Sequence, residues 1–352
     1  MSQFWSEGVS NLHPYVPGEQ PKGDRLLKLN TNESPYGPSP AIEAALQSVN
    51  VEDLRLYPDP ASSKLTSALA DYHSVPVNSV FVGNGSDEVL AFVFRAFFKG
   101  KGPLCFPDIS YSFYPVWAQM FDIETHALPV TLDYRIELSA VPDEIKVVIF
   151  PNPNAPTAIA LGLGEIEAFV KARPGVLVVV DEAYVDYGAA SALALVGTYP
   201  NVLVVRTMSK SRGLAGMRVG YALGAPELIE GLVRVKDSFN SYPVDALAQL
   251  AALVSINDES YFQETLAKVI SSRARLARGL ESLGFEVLPS TANFVLARNA
   301  SKTGAEWQSY LRSQGVIVRH FNKPRLDDWI RITVGTDAEV DQLLEALARS
   351  GA

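Results

Sequence analysis

The sequence predicts an α/β protein with a mostly parallel central sheet in a large domain and a second, smaller α+β domain. Through the middle of the chain, short apolar runs alternate with amphipathic stretches, a pattern typical of parallel strands that are covered by helices on both faces. Longer helical patterns and a second group of strands follow. The chain has 352 residues, more than most single domains contain. We therefore expect an N-terminal arm (residues 1–44) that completes the smaller domain (residues 246–352), and a large domain over residues 45–245.

The N-terminal arm is rich in Pro, Gly and Asn, which favours extended loops with turns. Pro40 fits the first turn of a helix over about residues 39–49, and Ser62 is placed to cap a second helix that ends near Tyr72. After the apolar run VFVG, the glycines of GNGSDE (residues 83–88) predict a turn into a helix that begins near Ser86.

The remaining elements follow from the same patterns. The large domain should contain the strands PLCF, IETHAL, KVVIF, VLVVV, NVLVVRT and RVGYAL, with a helix at LGEIEAFVKA. The smaller domain should contain helices at DALAQLAALVSI and YFQETLAKVISSRARLARGLESL, followed by the strands NFVLA, VIVRH and WIRITV. Thr336 and Glu339 have the spacing of a capping box, which predicts the last helix.

Charge and composition exclude several classes of protein. The net charge is -9, with 39 acidic against 30 basic residues, so no general attraction to nucleic acid or to an anionic membrane is expected. An anionic substrate must therefore be bound by local arginines. Cys105 is the single cysteine; it excludes an intrachain disulfide and a four-cysteine metal site, and its apolar neighbours predict a buried, reduced thiol.

Features of targeting and membrane insertion are missing from the sequence pattern. The first residues have neither a basic start nor an apolar core followed by small residues, so no signal peptide is expected. The apolar runs are far shorter than the ~20 residues of a membrane helix. These patterns predict a cytoplasmic protein with small-molecule substrates and no bound metal.

Three loops carry residues that are suited to ligand chemistry. The GNGSDE turn could direct backbone amides of a helix start at an anion, although a strand-to-helix turn also needs glycine for its shape alone. Asp181 ends the run VLVVVD, at the sheet edge where open α/β folds bind ligands, although an acid there could simply cap a helix. Lys210 follows the next strand, NVLVVRT, and taken singly it could be a solvated charge.

In combination, Asp181 and Lys210 predict a pyridoxal phosphate enzyme. A substrate loses a proton from carbon only if the negative charge can be delocalised, and a protonated pyridine ring accepts it. A carboxylate such as Asp181 favours the protonated ring nitrogen, because opposite charges stabilise each other. The amine of Lys210 can bind the cofactor covalently.

The order of the motifs resembles that of the fold-type I aminotransferases. The motifs are GNGSDE, PDISYSFY, PNPNAPT, VVVDEAY, TMSKSRGLAGMR and WIRITVGT. More narrowly, four segments resemble those of the histidinol-phosphate aminotransferases: LHPYVPGEQP, KLNTNESPYGPSP, RLYPDP and VRHFNKPR. The resemblance covers about residues 5–345 and implies the fold-type I architecture of pyridoxal phosphate-dependent transferases.

The resemblance implies a role for each matching residue in binding pyridoxal 5'-phosphate. Lys210 would bind the cofactor and transfer the proton during catalysis, while Asp181 would hold the ring nitrogen. Tyr184 would donate to the ring 3-hydroxyl, and Tyr111 would stack on the ring, unless it is an ordinary core aromatic. The phosphate would be bound by Ser86, Asp87, Thr207, Ser209 and Arg218.

Further residues are implied for the substrate and for a partner subunit. Arg331 would bind the α-carboxylate of glutamate or the phosphate of histidinol phosphate, and Arg319, unless solvated, would add a second charge. Tyr15 would close over the substrate. Tyr57 would reach the phosphate in a neighbouring subunit, which implies a homodimer with shared sites; as sequence alone, it could equally be a loop aromatic.

The sequence departs from the family pattern at two places. The asparagine that contacts the ring 3-hydroxyl in many relatives is replaced by Ala155, and the glycine of the same motif by Ala158. Asn154 could take over the contact, or Tyr184 could act alone. Ser211 and Arg212 replace the Ala-Phe that commonly follows the lysine.

The resemblance implies a transaminase that acts on histidinol phosphate and 2-oxoglutarate in histidine biosynthesis. Rival interpretations within the fold are an aromatic amino-acid transaminase and a phosphothreonine decarboxylase. From other classes, a non-catalytic ligand-binding regulatory protein is disfavoured by the complete set of Asp181, Lys210, Arg218 and Arg331. A nicotinamide oxidoreductase is disfavoured because the glycine fingerprint is missing.

Overall fold

A computed structural model describes residues 3–5, 7–10, 12–15, 18–20 and 26–350. The described strands are β1 (Leu27–Lys28), β2 (Val80–Gly83), β3 (Leu104–Pro107), β4 (Thr125–Leu128), β5 (Val147–Pro151), β6 (Leu177–Asp181), β7 (Val202–Thr207), β8 (Gly220–Gly224), β9 (Glu286–Val287), β10 (Phe294–Arg298), β11 (Val316–Ile317), β12 (Arg319–His320) and β13 (Ile330–Thr333). The described helices are α1 (Glu7–Ser10), α2 (Ala41–Gln47), α3 (Ser63–His73), α4 (Gly85–Val93), α5 (Tyr114–Met120), α6 (Leu163–Ala172), α7 (Pro226–Phe239), α8 (Ala246–Asn257), α9 (Glu259–Ser282), α10 (Gly304–Ser313) and α11 (Asp337–Ala348).

The central sheet has seven strands in the order β2-β8-β7-β6-β5-β3-β4. The strands from β4 to β7 are parallel, and β8 runs antiparallel to both of its neighbours. Side chains alternate along each strand, so Val178 and Val180 pack in the core on one face, whereas Val179 packs in the core on the other. The sheet is therefore covered on both faces, and the predicted mostly parallel α/β fold is confirmed.

The helices before the sheet differ in detail from the predictions. Helix α2 is shorter than predicted and spans Ala41–Gln47. Ser62 precedes α3, but its φ is +48° and its side chain makes no capping hydrogen bond. Asp59 caps instead, because its Oδ2 accepts from the Ser63 N–H at 2.7 Å. The predicted Ser62 cap is wrong, since a side-chain cap is typical of an extended backbone rather than the left-handed one.

A second, antiparallel sheet has the order β12-β13-β10-β9 and packs against α9, α10 and α11. Its buried face shares one core with Trp307 and with apolar residues of the last helix. The predicted capping box is present: Thr336 Oγ1 accepts from the Glu339 N–H at 3.3 Å, and the Thr336 N–H donates to Glu339 Oε2 at 2.7 Å.

The segment VIVRH forms two short strands rather than the single predicted one. Strand β11 pairs in parallel with β1, so that Leu27 faces Val316, while β12 pairs with β13. The N-terminal segment thus hydrogen-bonds to the C-terminal part of the chain. The loop predicted at YVPGEQPKG lies partly outside the described residues.

Two further predictions concern the burial of Cys105 and the length of the apolar segments. Cys105 is buried, and this burial raises the pKa of its thiol to about 11. Among the described helices, none combines the length and the apolar character that crossing a bilayer requires.

Candidate active site

A cavity lies at the carboxyl ends of β6 and β7, between the central sheet and the antiparallel sheet. All the predicted site residues except Tyr57 and Asn154 contribute to its wall. They are Tyr15, Ser86, Asp87, Tyr111, Asp181, Tyr184, Thr207, Ser209, Lys210, Arg218, Arg319 and Arg331. Residues that are distant in sequence meet here because parallel strands all end at the same edge of the sheet.

Asp181 is the last residue of β6, and its carboxyl group is buried. Its Oδ2 accepts from the Tyr114 hydroxyl at 2.9 Å, and its Oδ1 accepts from the Ala183 N–H at 3.3 Å. Burial nevertheless raises the pKa of Asp181 to about 7. No cationic side chain of the described residues forms an ion pair with it, so a cationic ligand in the cavity would stabilise its ionised form.

Lys210 lies in the loop between β7 and β8, and its side chain lines the same cavity. Its Nζ donates to the Thr31 carbonyl at 3.3 Å and lies 5.8 Å from the centre of the Tyr184 ring. In the described part of the chain, no acidic side chain forms an ion pair with this amine. It is a primary amine that is available to an electrophilic ligand.

Two glycines shape the first turn of α4, where the backbone amides of Ser86 and Asp87 form what we call the anion cradle. A Cβ on Gly85 (φ +82°) would lie 2.5 Å from Arg218 Nη2, and a Cβ on Gly220 would lie 2.2 Å from the Ser86 nitrogen. The backbone of β8 therefore packs directly on the first turn of α4. The N–H groups of Ser86 and Asp87 are in this turn, where helical amides have no intrahelical acceptor.

Arg218 lies beside these amides. Its Nη2 donates to Asp87 Oδ2 at 3.2 Å, and its Nη1 lies 3.5 Å from Ser209 Oγ. Tyr111 donates to Asp87 Oδ1 at 2.7 Å. The carboxylate of Asp87 thus orients both the guanidinium and the tyrosine, a function that the sequence analysis did not assign. Ser209 and Thr207 contribute hydroxyls that lie 3.0 Å apart.

Arg331 and Arg319 face each other as register partners on β13 and β12. The Arg331 guanidinium lies between the rings of Phe294 (5.3 Å) and Phe321 (5.4 Å), and its Nη2 donates to the Asn30 carbonyl at 2.8 Å. Burial lowers the pKa of Arg331, and its Nε is buried without a hydrogen-bond partner. Among the described residues, neither arginine forms an ion pair with an acid. Two cations without acidic partners are suited to bind an anionic ligand.

Two predicted residues lie outside this cavity wall. Asn154 is buried, and its amide donates to the Ile109 carbonyl at 2.9 Å and to Thr157 Oγ1 at 3.1 Å. Ala155 lines the cavity beside it, and the contact of Asn154 with a ligand stays a prediction. Tyr57 is 82% exposed and stacks on Tyr242 at 4.6 Å; within one chain it does not reach the cavity.

Several residues of the site were missed by the sequence analysis. Tyr114 holds Asp181, and Asn32 Nδ2 donates to the Tyr184 hydroxyl at 3.0 Å. The cavity wall also includes Asn30, Thr31, Asn32, Glu33, Ser110, Ser112 and Phe321. The segment NTNES gave a usable signal, because its five consecutive polar residues lie between the leucine-rich segment LLKL and a proline-rich turn.

The chain matches known proteins over nearly all of its length. The model of the family described as aminotransferase class I and II matches residues 24–347. Histidinol-phosphate aminotransferase 2 of Rhizobium meliloti is 55% identical over 347 residues, which are 99% of this chain and 99% of that protein. Histidinol-phosphate aminotransferase 1 of Hydrogenovibrio crunogenus is 54% identical and is covered to 98%. Among solved structures, histidinol-phosphate aminotransferase from Sinorhizobium meliloti in complex with pyridoxal-5'-phosphate has a TM-score of 0.88 at 26% identity, covering 100% of this chain and 99% of that one.

Proposed function

Because the chain belongs to the class I and II aminotransferases, and within them to the histidinol-phosphate aminotransferases, we propose that it uses pyridoxal 5'-phosphate to convert histidinol phosphate. With 2-oxoglutarate as the amino acceptor, the products are imidazole acetol phosphate and glutamate, a reaction of histidine biosynthesis. The observation that carries the proposal is that one cavity is lined by Asp181, Lys210, Arg218 and the pair Arg319 and Arg331.

The residues present fit the cofactor. Asp181 is a buried carboxyl group that gains a partner if a cationic ring nitrogen lies against it. The cradle of the Ser86 and Asp87 amides, which only glycine at positions 85 and 220 leaves open, suits a phosphate together with Arg218. Ser209 and Thr207 would add hydroxyl donors, Tyr111 would cover the ring face, and Tyr184 would donate to the 3-hydroxyl.

When bound, pyridoxal phosphate supplies an electron sink for the charge that develops at the substrate α-carbon. Lys210 would supply the amine that holds the cofactor. Once the substrate amine has displaced it, its Nζ would move the proton from the substrate α-carbon to the aldehyde carbon of the cofactor. Asp181 would stay ionised beside the positive ring and so maintain that charge.

Arg319 and Arg331 would bind the anionic end of either substrate. A guanidinium binds phosphate and carboxylate oxygens equally well in a bidentate manner, so one pair of arginines can serve histidinol phosphate and glutamate in turn. Tyr15, whose ring lies 4.5 Å from that of Phe113, would cover the bound substrate.

We also propose that the active unit is a homodimer with shared sites. Tyr57 projects from the surface beside Leu56 and Leu54, which are 55% and 52% exposed. An apolar exposed segment of this kind is suited to burial against a second copy, where Tyr57 could reach the neighbouring phosphate site. In this arrangement residues 45–245 form the cofactor-binding domain, and residues 246–352 with the N-terminal arm form the smaller domain.

The decisive experiment is single-turnover absorbance spectroscopy of the cofactor-loaded protein with a panel of amino donors. Histidinol phosphate and glutamate should each convert the bound cofactor to its amine form, and histidinol phosphate should react with the highest kcat/KM. A higher value for phenylalanine would make the protein an aromatic transaminase, and release of CO2 from phosphothreonine would make it a decarboxylase. A protein that binds no pyridoxal phosphate would refute the proposal altogether.

A further inference from the structure

A buried polar network lies behind the cavity and does not line it. It consists of Ser211, Asp186, Arg206 and Glu182, and we call these four residues the buried network. Ser211 Oγ donates to Asp186 Oδ2 at 2.5 Å, and Arg206 Nη1 donates to Asp186 Oδ1 at 3.4 Å. Arg206 also donates to Glu182 Oε2 through Nε (3.0 Å) and Nη2 (2.9 Å).

Three members of the network are direct sequence neighbours of residues in the cavity wall. Ser211 follows Lys210, Glu182 follows Asp181, and Arg206 precedes Thr207. Arg206 and Thr207 are successive residues of β7, so their side chains point to opposite faces of the sheet. Ser211 and Glu182 lie in loops, and neither side chain lines the cavity. The network therefore connects the loop that carries Lys210 with the turn that follows β6 and with strand β7.

The charges of the network are paired with one another, in surroundings that range from fully buried at Glu182 to 28% exposed at the Asp186 side chain. The Glu182 side chain is 0% exposed and that of Arg206 is 11% exposed. Glu182 also accepts from Ser191 Oγ at 2.7 Å and from the Ala192 N–H at 2.5 Å. Charge-assisted hydrogen bonds in such surroundings are stronger than those in water, and loss of one partner leaves the other charge unpaired.

Lys210, by contrast, has little restraint of its own. Its Nζ makes a hydrogen bond of 3.3 Å to the Thr31 carbonyl, and its long side chain has several rotatable bonds. Arg212, the residue after Ser211, makes contacts in another direction. It donates to the Ser255 carbonyl at 2.5 Å, and its guanidinium lies 4.0 Å from the centre of the Phe262 ring. Ser211 is therefore the residue that ties the lysine backbone to the turn after β6.

We propose that Ser211 and Asp186 are positioning residues, which hold Lys210 at a fixed separation from Asp181 through the buried network. The two groups must act on opposite ends of one rigid ring, so the reaction depends on this separation. The inference deepens the proposed function and rests on it. It also gives a physical role to Ser211, one of the residues at which this sequence departs from the common family pattern.

The test separates positioning of the amine from general stability. The cofactor-free protein is mixed with pyridoxal phosphate, whose aldehyde is captured when the Lys210 amine adds to it and one water leaves. In a parallel experiment the cofactor-free protein is mixed with pyridoxamine phosphate. This compound has no aldehyde, so it binds in the same cavity without forming a covalent bond to Lys210. Ser211→Ala should slow capture of the aldehyde form by roughly ten- to a hundredfold, while the affinity for the amine form stays within about twofold.

The variants Ser211→Thr and Asp186→Asn complete the set. Ser211→Thr keeps the hydroxyl and should restore capture, whereas Asp186→Asn should slow it as Ser211→Ala does. Ser272→Ala is the matched control, because the Ser272 hydroxyl is also buried and donates to an aspartate, Asp337 Oδ1, at 2.7 Å, far from the cavity. It should lower resistance to urea yet capture the aldehyde at the wild-type rate.

The outcomes are distinct. If Ser211→Ala captures the aldehyde at the wild-type rate, or weakens binding of both cofactor forms equally, the positioning role is refuted. If the wild-type protein binds neither form, the proposed function has failed and not the inference alone.

Discussion

Replacing Asp181 with Asn should make the cofactor-free protein more stable at alkaline pH, although it removes a central residue of the site. Burial raises the pKa of Asp181 from 3.8 to about 7. The unfolded chain therefore loses this proton near pH 4, whereas the folded protein keeps it until about pH 7. Between these values the folded state binds more protons, so its stability falls as the pH rises through this window.

The size of the effect follows from the same two pKa values. One pH unit of difference corresponds to about 1.4 kcal/mol, so the full cost above pH 7 is about 4 kcal/mol. Only a part of this cost is present at pH 5. The free energy of unfolding of Asp181→Asn, relative to wild type, should therefore increase by about 3 kcal/mol between pH 5 and pH 8.

Urea unfolding of both cofactor-free proteins at the two pH values measures this difference. A gap between variant and wild type that is equal at pH 5 and pH 8 would contradict the reasoning, because it would mean that Asp181 ionises normally in the fold. The control is the same pair of titrations with pyridoxal phosphate bound. The wild type should then gain the larger stabilisation at pH 8, since the ionised carboxylate has a cationic partner.

Three further predictions test other parts of the structure. Gly220→Ala places a Cβ 2.2 Å from the Ser86 nitrogen, so the free energy of unfolding should fall by about 2 kcal/mol. The affinity for pyridoxal phosphate should fall as well, and an unchanged affinity in a fluorescence titration would contradict the role of the anion cradle. Arg331→Leu removes a half-buried cation without an acidic partner among the described residues, so urea unfolding should change by no more than about 1 kcal/mol. The KM for glutamate should rise about a hundredfold, and an unchanged KM would show that the arginine does not bind substrate. Thr336→Ala removes the acceptor for the Glu339 N–H and should cost about 1 kcal/mol without altering the cofactor spectrum; a spectral change would show that the last helix influences the site.

The central sheet could be predicted because its strands are buried on both faces. Runs such as VLVVV leave no solvent-facing position for a polar residue, so hydrophobicity alone marks them. The split of VIVRH into β11 and β12 could not be seen, since the partner of β11 is β1, far away in the sequence. Likewise, the backbone conformation of Ser62 depends on its surroundings, and a serine before a helix gives no indication of it.

In the site, too, residues placed by the local sequence pattern could be predicted, whereas residues placed by contacts with distant parts of the chain could not. Asp181 and Lys210 could be identified because Asp181 ends one buried strand and Lys210 follows the next, so the sheet itself brings them to one edge. Tyr114 and Asn32 were missed because they contact Asp181 and Tyr184 across large sequence separations. The position of Asn154 outside the cavity wall could not be foreseen, because its amide donates to the Ile109 carbonyl, a contact that neighbouring residues do not encode.

The groups that we propose to bind cofactor and substrate lie on two separate β-sheets. Asp181, Lys210 and Arg218 are attached to the seven-stranded sheet, whereas Arg319 and Arg331 belong to the four-stranded one. A rocking of one sheet against the other would change the distance between these two sets of groups. It would also act on Tyr184, because Asn32 donates to the Tyr184 hydroxyl and accepts from Thr333 Oγ1 on β13. The length of the molecule that fits the cavity would then depend on the angle between the sheets as well as on the side chains.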